Sequence, residues 1–156
     1  MPKADVLDRV GMDLAKGHTQ PAIQRLSSLV AAHPTDLDLR RRLAAVHRLV
    51  GNWVEAGRWS YLEADADEKE TGAFERAYPS PTRRLPALRW PKDNRLAATA
   101  YARQRLDDLA ALAERERRES PTDTGPSPLW PVAIPILAMI AAFVVIGAVT
   151  VVQWLI

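Results

Sequence analysis

The chain has 156 residues, with 21 Lys and Arg against 19 Asp and Glu and no cysteine. The missing cysteines exclude disulfide staples, thiolate metal sites and thiol nucleophiles. A net charge of +2 gives no ground for nonspecific nucleic-acid binding, which needs a concentrated positive field. Every charged side chain precedes Leu129, so the composition is split: a charge-rich part first, a charge-free part after it.

In chain order, Val6, Val10 and Leu14 form a first apolar stripe, and Ile23, Leu26, Leu29 and Val30 a second. Leu39, Leu43, Val46 and Val50, spaced 4, 3 and 4, form a third behind the N-cap candidates Thr35 and Asp36. Gly17 and Gly51 sit where helix ends favour glycine, and they lie 34 residues apart. Ala22 and Ala56 repeat that spacing, and Pro34 follows Gly17 by half of it. The period resembles the tetratricopeptide repeat, whose pattern has a glycine ending the first helix, a small residue in the second and a closing proline. One complete unit and most of a second are legible from Gly17 to Leu62, with Trp53 expected to pack into the elbow. Glu68 and Leu85 then stand where the pattern asks for proline and glycine, so the array decays.

Glu63 to Glu75 carries six acids and one Lys and is expected to continue a helix, breaking near Gly72. Pro79 to Arg95 carries five basic residues and four prolines, which argue against a regular helix. The opposite charges suggest that the two segments pack together. A long capping helix is expected from Asp93 or Asn94 to about Glu119, with Leu96, Tyr101, Leu106, Leu109, Leu112 and Ala113 on its apolar face. SPTDTGPSP then reads as a Pro- and Ser-rich tether.

From Leu129 to Ile156 no side chain is charged. About 20 apolar residues span the ~30 Å hydrocarbon slab as a helix, so Val132 to Leu155 is expected to be a transmembrane segment. Trp130 and Trp154 stand at its two ends, at headgroup level. Arg115, Arg117 and Arg118 ahead of it predict a cytoplasmic N-terminal side, and MPKADVLDRV has no signal-peptide run. The expected architecture is therefore all-α: a tetratricopeptide-like cytoplasmic domain over 1–119, a tether over 120–128 and a C-terminal membrane anchor over 129–156.

AGRWSYLE (Ala56 to Glu63), TDLDLRRRLAAVHRLVGN before it and RLPALRWP after it resemble an uncharacterised actinomycete domain family of unknown function. The similarity runs from about Val6 to Leu112. Ser60 stands where that family commonly has an aromatic residue. The resemblance implies no activity.

His18, His33 and His47 are 15 and 14 apart, which sets no pair at metal-ligand spacing on one helix. HExxH, Gly-rich phosphate loops and GxSxG are absent. No enzyme, cofactor, metal site or small-molecule substrate is expected. In the repeat counted from Leu37, Asp38, Arg41, Ala45 and Arg48 fall on the concave face, where a planar guanidinium fork fits the carboxylates of an acidic peptide. The competing reading makes Arg40, Arg41, Arg42 and Arg48 a solvated face, or pairs them internally with the acidic Glu63 to Glu70 segment. Arg83, Arg84, Arg89, Trp90 and Lys92 form a second candidate, a basic loop with an exposed indole resting on anionic lipid; the competing reading makes Trp90 a core residue. The expected role is a tail-anchored adaptor that holds a protein partner at the membrane. The alternative is an accessory structural subunit of a larger membrane complex, bound through the transmembrane helix, where Ala138, Ala141, Ala142, Gly147 and Ala148 permit close packing.

Overall fold

A computed structural model describes residues 2–119. The tether at 120–128 and the apolar segment at 129–156, with Trp130 and Trp154, lie outside the described residues. Those described are all-helical: seven α-helices and one 3-10 turn, with no strand among them. The helices are α1 (Lys3–Ala15), α2 (Thr19–Ala32), α3 (Leu37–Leu49), α4 (Trp53–Ser60), α5 (Glu68–Ala77), α6 (Pro81–Ala87) and α7 (Ala100–Glu119). From α1 to α5 each helix packs on the next in the chain, and α7 packs on α6.

Gly17 and Gly51 both adopt the left-handed backbone, at φ 74° and 71°, a region that costs a residue with a side chain about 1–2 kcal/mol. Each closes its helix with the same double hydrogen bond. After α1, the His18 N–H donates to Asp13 C=O at 2.8 Å and that of Gly17 to Leu14 at 3.0 Å. After α3, Asn52 donates to His47 at 2.9 Å and Gly51 to Arg48 at 3.1 Å. The next helices open differently. Asn52 caps α4, its side chain accepting from the Glu55 N–H at 3.1 Å, whereas His18 offers α2 no side-chain cap. Asp36 caps α3 as expected, accepting from the Leu39 N–H at 3.2 Å.

The apolar stripes build two core clusters. The first gathers Val10, Ala22, Leu26, Leu29, Val30, Leu39, Leu43, Ala44, Val46 and Trp59. The second gathers Tyr61, Leu62, Phe74, Leu88, Ala97, Ala102, Leu106 and Leu109. Both run through one short stretch of chain, with Trp59 in the first and Tyr61 and Leu62 in the second.

Several boundaries differ from the sequence expectation. Gly72 lies inside α5 and breaks nothing; the break falls between Ser60 and Glu68, where the Asp67 side chain accepts from the Lys69 N–H at 2.7 Å and starts α5 afresh. Glycine in a helix costs about 1 kcal/mol against alanine, and burial of Phe74 and Glu70 outweighs it. The proline-rich segment does form a helix, α6, because Pro81 occupies its first turn, where no amide partner is needed, and Pro86 falls just before its end. The last helix starts at Ala100 rather than at Asp93 or Asn94. Asp93 caps only a 3-10 turn at Asn94–Leu96, and the Thr99 hydroxyl then receives the Ala102 N–H at 3.1 Å. The buried face of α7 is Ala102, Leu106, Leu109 and Ala113, while Leu96, Tyr101 and Leu112 are exposed. Near its end Glu116 clamps α7 to the start of α6, one carboxylate oxygen accepting from Ser80 Oγ, Thr82 N and Thr82 Oγ1 at 2.6 to 2.9 Å.

Candidate functional site

The AGRWSYL segment forms the centre of the domain, and each of its residues has a distinct task. Ala56 is fully buried. Gly57 lets α5 approach so closely that a Cβ there would lie 1.9 Å from the Glu70 carbonyl oxygen. Arg58 donates to the Ala87 carbonyl at 2.6 Å and pairs with Glu55, and Glu55 also accepts from the Trp59 indole N–H at 3.0 Å. Ser60, buried, returns its hydroxyl to the Ala56 carbonyl at 2.9 Å. Tyr61 meets Phe74 edge to face at 5.3 Å, carries the Arg105 guanidinium 4.3 Å above its ring and donates to Glu75 at 2.9 Å.

The LRWP segment meets this centre through a residue that the sequence reading treated as one of a surface run. Arg40, on α3, is 1% exposed. Its guanidinium lies 5.4 Å from the Trp59 ring and 5.1 Å from the Trp90 ring, a doubly stacked cation. Its hydrogen-bond partners are backbone carbonyls alone: Nε donates to Pro34 at 2.8 Å, and Nη2 to Leu88 at 2.9 Å and Arg89 at 3.3 Å. Arg89 takes the left-handed backbone, φ 49°, which turns its carbonyl to this cation. Nη1 is buried without a partner, as is the Trp90 indole nitrogen. Burial, with the neighbouring Arg58 cation adding to it, lowers the Arg40 guanidinium to about 10, so it stays charged at neutral pH.

The chain matches the family of unknown function DUF6584 over residues 1–153. It belongs to that family. No curated protein and no solved structure matches it. For this DUF6584 member, one of the three segments that carry the sequence resemblance holds Arg40, and the other two supply Trp59 and Trp90, the rings stacked on it. Arg40 is missed in the sequence, although the helix period marks it: Arg40, Leu43, Ala44 and His47 fall at i, i+3, i+4 and i+7, on the buried face of α3. His47 is buried on that face, its Nδ1 unpartnered. Burial lowers its pKa, the Glu55 carboxylate opposes that and Arg58 adds to it.

The expected concave groove does not present free arginines. Arg41 pairs with Glu63 at 3.2 Å, and Arg48 grips Glu70 through both Nε and Nη2, the latter at 2.6 Å. Glu70 is buried in α5 and Glu63 nearly so at its carboxylate. The Arg48 guanidinium is held in its charged form first by the Glu70 hydrogen bond, and that of Arg41 first by the Glu63 charge. Asp38 pairs with Arg42 at 2.8 Å, and Ala45 is exposed between them. An incoming acidic peptide would have to displace the protein's own carboxylates.

In the basic loop, Arg83, Arg89 and Lys92 are exposed. Arg84 is turned inward, donating to the Tyr78 carbonyl at 2.9 Å and pairing with Glu75. Trp90 is half-buried with its nitrogen inside, so it is a wall of the Arg40 site rather than a free wedge. The exposed indole lies elsewhere. Trp53, expected to pack in the elbow, is 53% exposed, beside Leu49 at 72% and Val50 at 40%. The Schellman turn at Gly51 swings this part of the chain outward, and the buried stripe of α3 ends at Val46. Trp53 borders a hollow of about 580 Å³ lined also by Asp67, Lys69, Glu70, Ala73 and Arg76. Among the described residues, no three His, Asp or Glu side chains converge to hold a metal ion.

Proposed function

We propose that this DUF6584 protein is a membrane-anchored adaptor whose helical domain captures a protein partner through the α3–α4 turn. The observation that carries the reading is the cluster of Leu49, Val50 and Trp53: three large apolar side chains, all exposed, within five residues of one turn. Scattered surface apolar residues are ordinary, but a contiguous group rimmed by charge marks an interaction surface. The neighbouring hollow supplies depth for a partner's side chain, and Asp67, Lys69 and Arg76 supply a polar rim. Tryptophan is among the residues most enriched at interface hot spots.

Anchoring rests on the charge-free run from Leu129 to Ile156, which is long enough to cross a bilayer as a helix. Tetratricopeptide-like architecture is part of the same proposal. It is supported by Gly17 and Gly51, 34 residues apart and each closing a helix with the same left-handed geometry.

Two measurements test the two halves. A photo-crosslinking residue at position 53 in native membranes should give one discrete adduct, and the same residue at position 5, on α1, should not. Equal labelling from both positions would rule out the turn as a docking surface. The intact chain should sediment with membranes through alkaline carbonate washing, and its recovery in the supernatant would remove the anchor from the proposal.

A further inference from the structure

Beside the stacked guanidinium lies a cavity of about 400 Å³, lined by Ser27, Val30, Ala31, Pro34, Trp59, Arg89, Trp90 and Pro91. It is a different place from the α3–α4 turn, and its lining owes nothing to the adaptor reading. Four of its lining residues touch Arg40: Pro34 and Arg89 through their carbonyls, Trp59 and Trp90 through their rings. The cation therefore sits directly behind the cavity wall.

Two buried donors behind this wall have no acceptor, Arg40 Nη1 and Trp90 Nε1; Arg40 is covered by the lining rather than part of it, so a ligand reaches it only when the rim moves. Buried polar atoms are paired in the great majority of cases, and leaving a donor unpaired next to a charge is costly. Here the deficit is one of acceptors and of negative charge. The carbonyls around Arg40 are neutral, and the neighbouring cation Arg58 is already occupied by Glu55. The cavity itself is mostly apolar, with two indoles, Val30, Ala31 and two prolines, and its volume falls in the range of small-ligand pockets.

We infer that this cavity binds a carboxylate carried on a small apolar group. The apolar group lies against the Trp59 and Trp90 faces, and the carboxylate accepts from Arg40 Nη1 and Trp90 Nε1. A planar carboxylate matches the guanidinium fork. Phosphate, strongly hydrated and without an apolar part, fits the indole walls poorly. The left-handed backbone at Arg89 is the point about which the Arg89 to Pro91 rim yields to admit the ligand, strain of this kind being common at binding sites. Such an acid is available from two sources, a free branched-chain acid or the C-terminal residue of a polypeptide.

The test uses the full chain in detergent micelles with its tryptophans 15N-labelled at the indole nitrogen, the Trp90 resonance being assigned by its loss in Trp90→Phe. Titration with 4-methylpentanoate should shift the Trp90 indole resonance to saturation. 4-Methylpentanamide should bind at least about ten-fold more weakly, the change expected on losing a charge-assisted hydrogen bond, and inorganic phosphate should not bind. Trp90→Phe keeps the stacked ring but deletes the donor, and should weaken the acid about ten-fold, read by calorimetry, and the amide less, its neutral carbonyl being the weaker acceptor. Arg40→Lys keeps the charge, loses the fork and should weaken the acid as well. A peptide ending in leucine carboxylate distinguishes the sources: tighter binding than the free acid points to a polypeptide terminus, weaker binding to a free acid. Equal affinity for acid and amide, or no shift of the Trp90 resonance with either acid or peptide, overturns the inference.

Discussion

The two helical pairs α1–α2 and α3–α4 end their first helices in the same way, yet they hold themselves together by different means. In the first pair the contact is a stripe of aliphatic side chains with one ion pair at its edge, Arg25 to Asp13 at 2.8 Å. In the second, an arginine of α3 goes to the inside, where Trp59 of α4 and Trp90 from beyond α6 stack on it. A glycine of α4 is pressed against a carbonyl of α5, so this pair is tied to the elements that follow it. Shared turn geometry fixes how helices enter and leave. What each pair can bind or tolerate is set by side chains that the turn does not specify.

Matched substitutions in the two pairs sharpen this contrast, and glycine gives the largest difference. Gly57→Ala places a methyl group 1.9 Å from the Glu70 carbonyl, so α4 and α5 must separate; a loss of about 3 kcal/mol or more is expected, measured by urea unfolding. Gly11→Ala in α1, where a Cβ meets nothing within 4 Å, should instead gain up to about 1 kcal/mol from helix propensity. If the two changes cost the same, the close approach at Gly57 is not what holds α5 against α4. Arginine comes next. Arg40→Ala removes a buried donor to three carbonyls and should cost about 3 kcal/mol, whereas Arg25→Ala, at a part-buried ion pair, should cost only about 1 kcal/mol. Thermal unfolding of the two variants side by side decides it. At the turns the pairs should agree: Gly17→Ala and Gly51→Ala should each lose about 1–2 kcal/mol, and a difference larger than that would show the turns to be unequal after all.

The smallest effect is a pH dependence at the α6–α7 clamp. The Thr82 side chain, the Thr82 N–H and Ser80 hold the Glu116 carboxyl below its ordinary value. A carboxyl lowered on folding stabilises above its unfolded pKa, and that contribution is lost as pH falls through the folded value. Between about pH 5 and pH 3 the native protein should therefore lose slightly more stability than Glu116→Gln, as followed by circular dichroism. Parallel curves would show that the clamp carries no charge-dependent stabilisation.

The helical class and the turns at Gly17 and Gly51 were legible because they are local: stripes of period 3.6 and a glycine at each end suffice. Asp36 as an N-cap belongs with them. The start of α7 was misplaced because Asp93 and Thr99 are both good caps, and only packing of Ala102, Leu106 and Leu109 chooses between them. Trp53 and Trp90 exchanged roles for the same reason. Nothing adjacent in the chain records that Arg40, 50 residues before Trp90, waits to stack on it. The arginines at 41 and 48 are legible as a pair on one face, and their internal pairing with the Glu63 to Glu70 segment is the competing expectation that the structure bears out, Glu63 lying just after α4 and Glu70 inside α5. Arg40 itself had a readable sign, its place on the apolar face with Leu43, Ala44 and His47, and that sign was obscured by the flanking Arg41 and Arg42.

Trp59 faces one core cluster while Tyr61 and Leu62, two and three residues later, face the other. Melting either half strips a wall from its neighbour, so the two cannot come apart in sequence: heating should give one sharp transition over Lys3–Glu119, with a calorimetric enthalpy matching the van't Hoff value. For the same reason, a protease cut between α4 and α5 should release no half that stays folded.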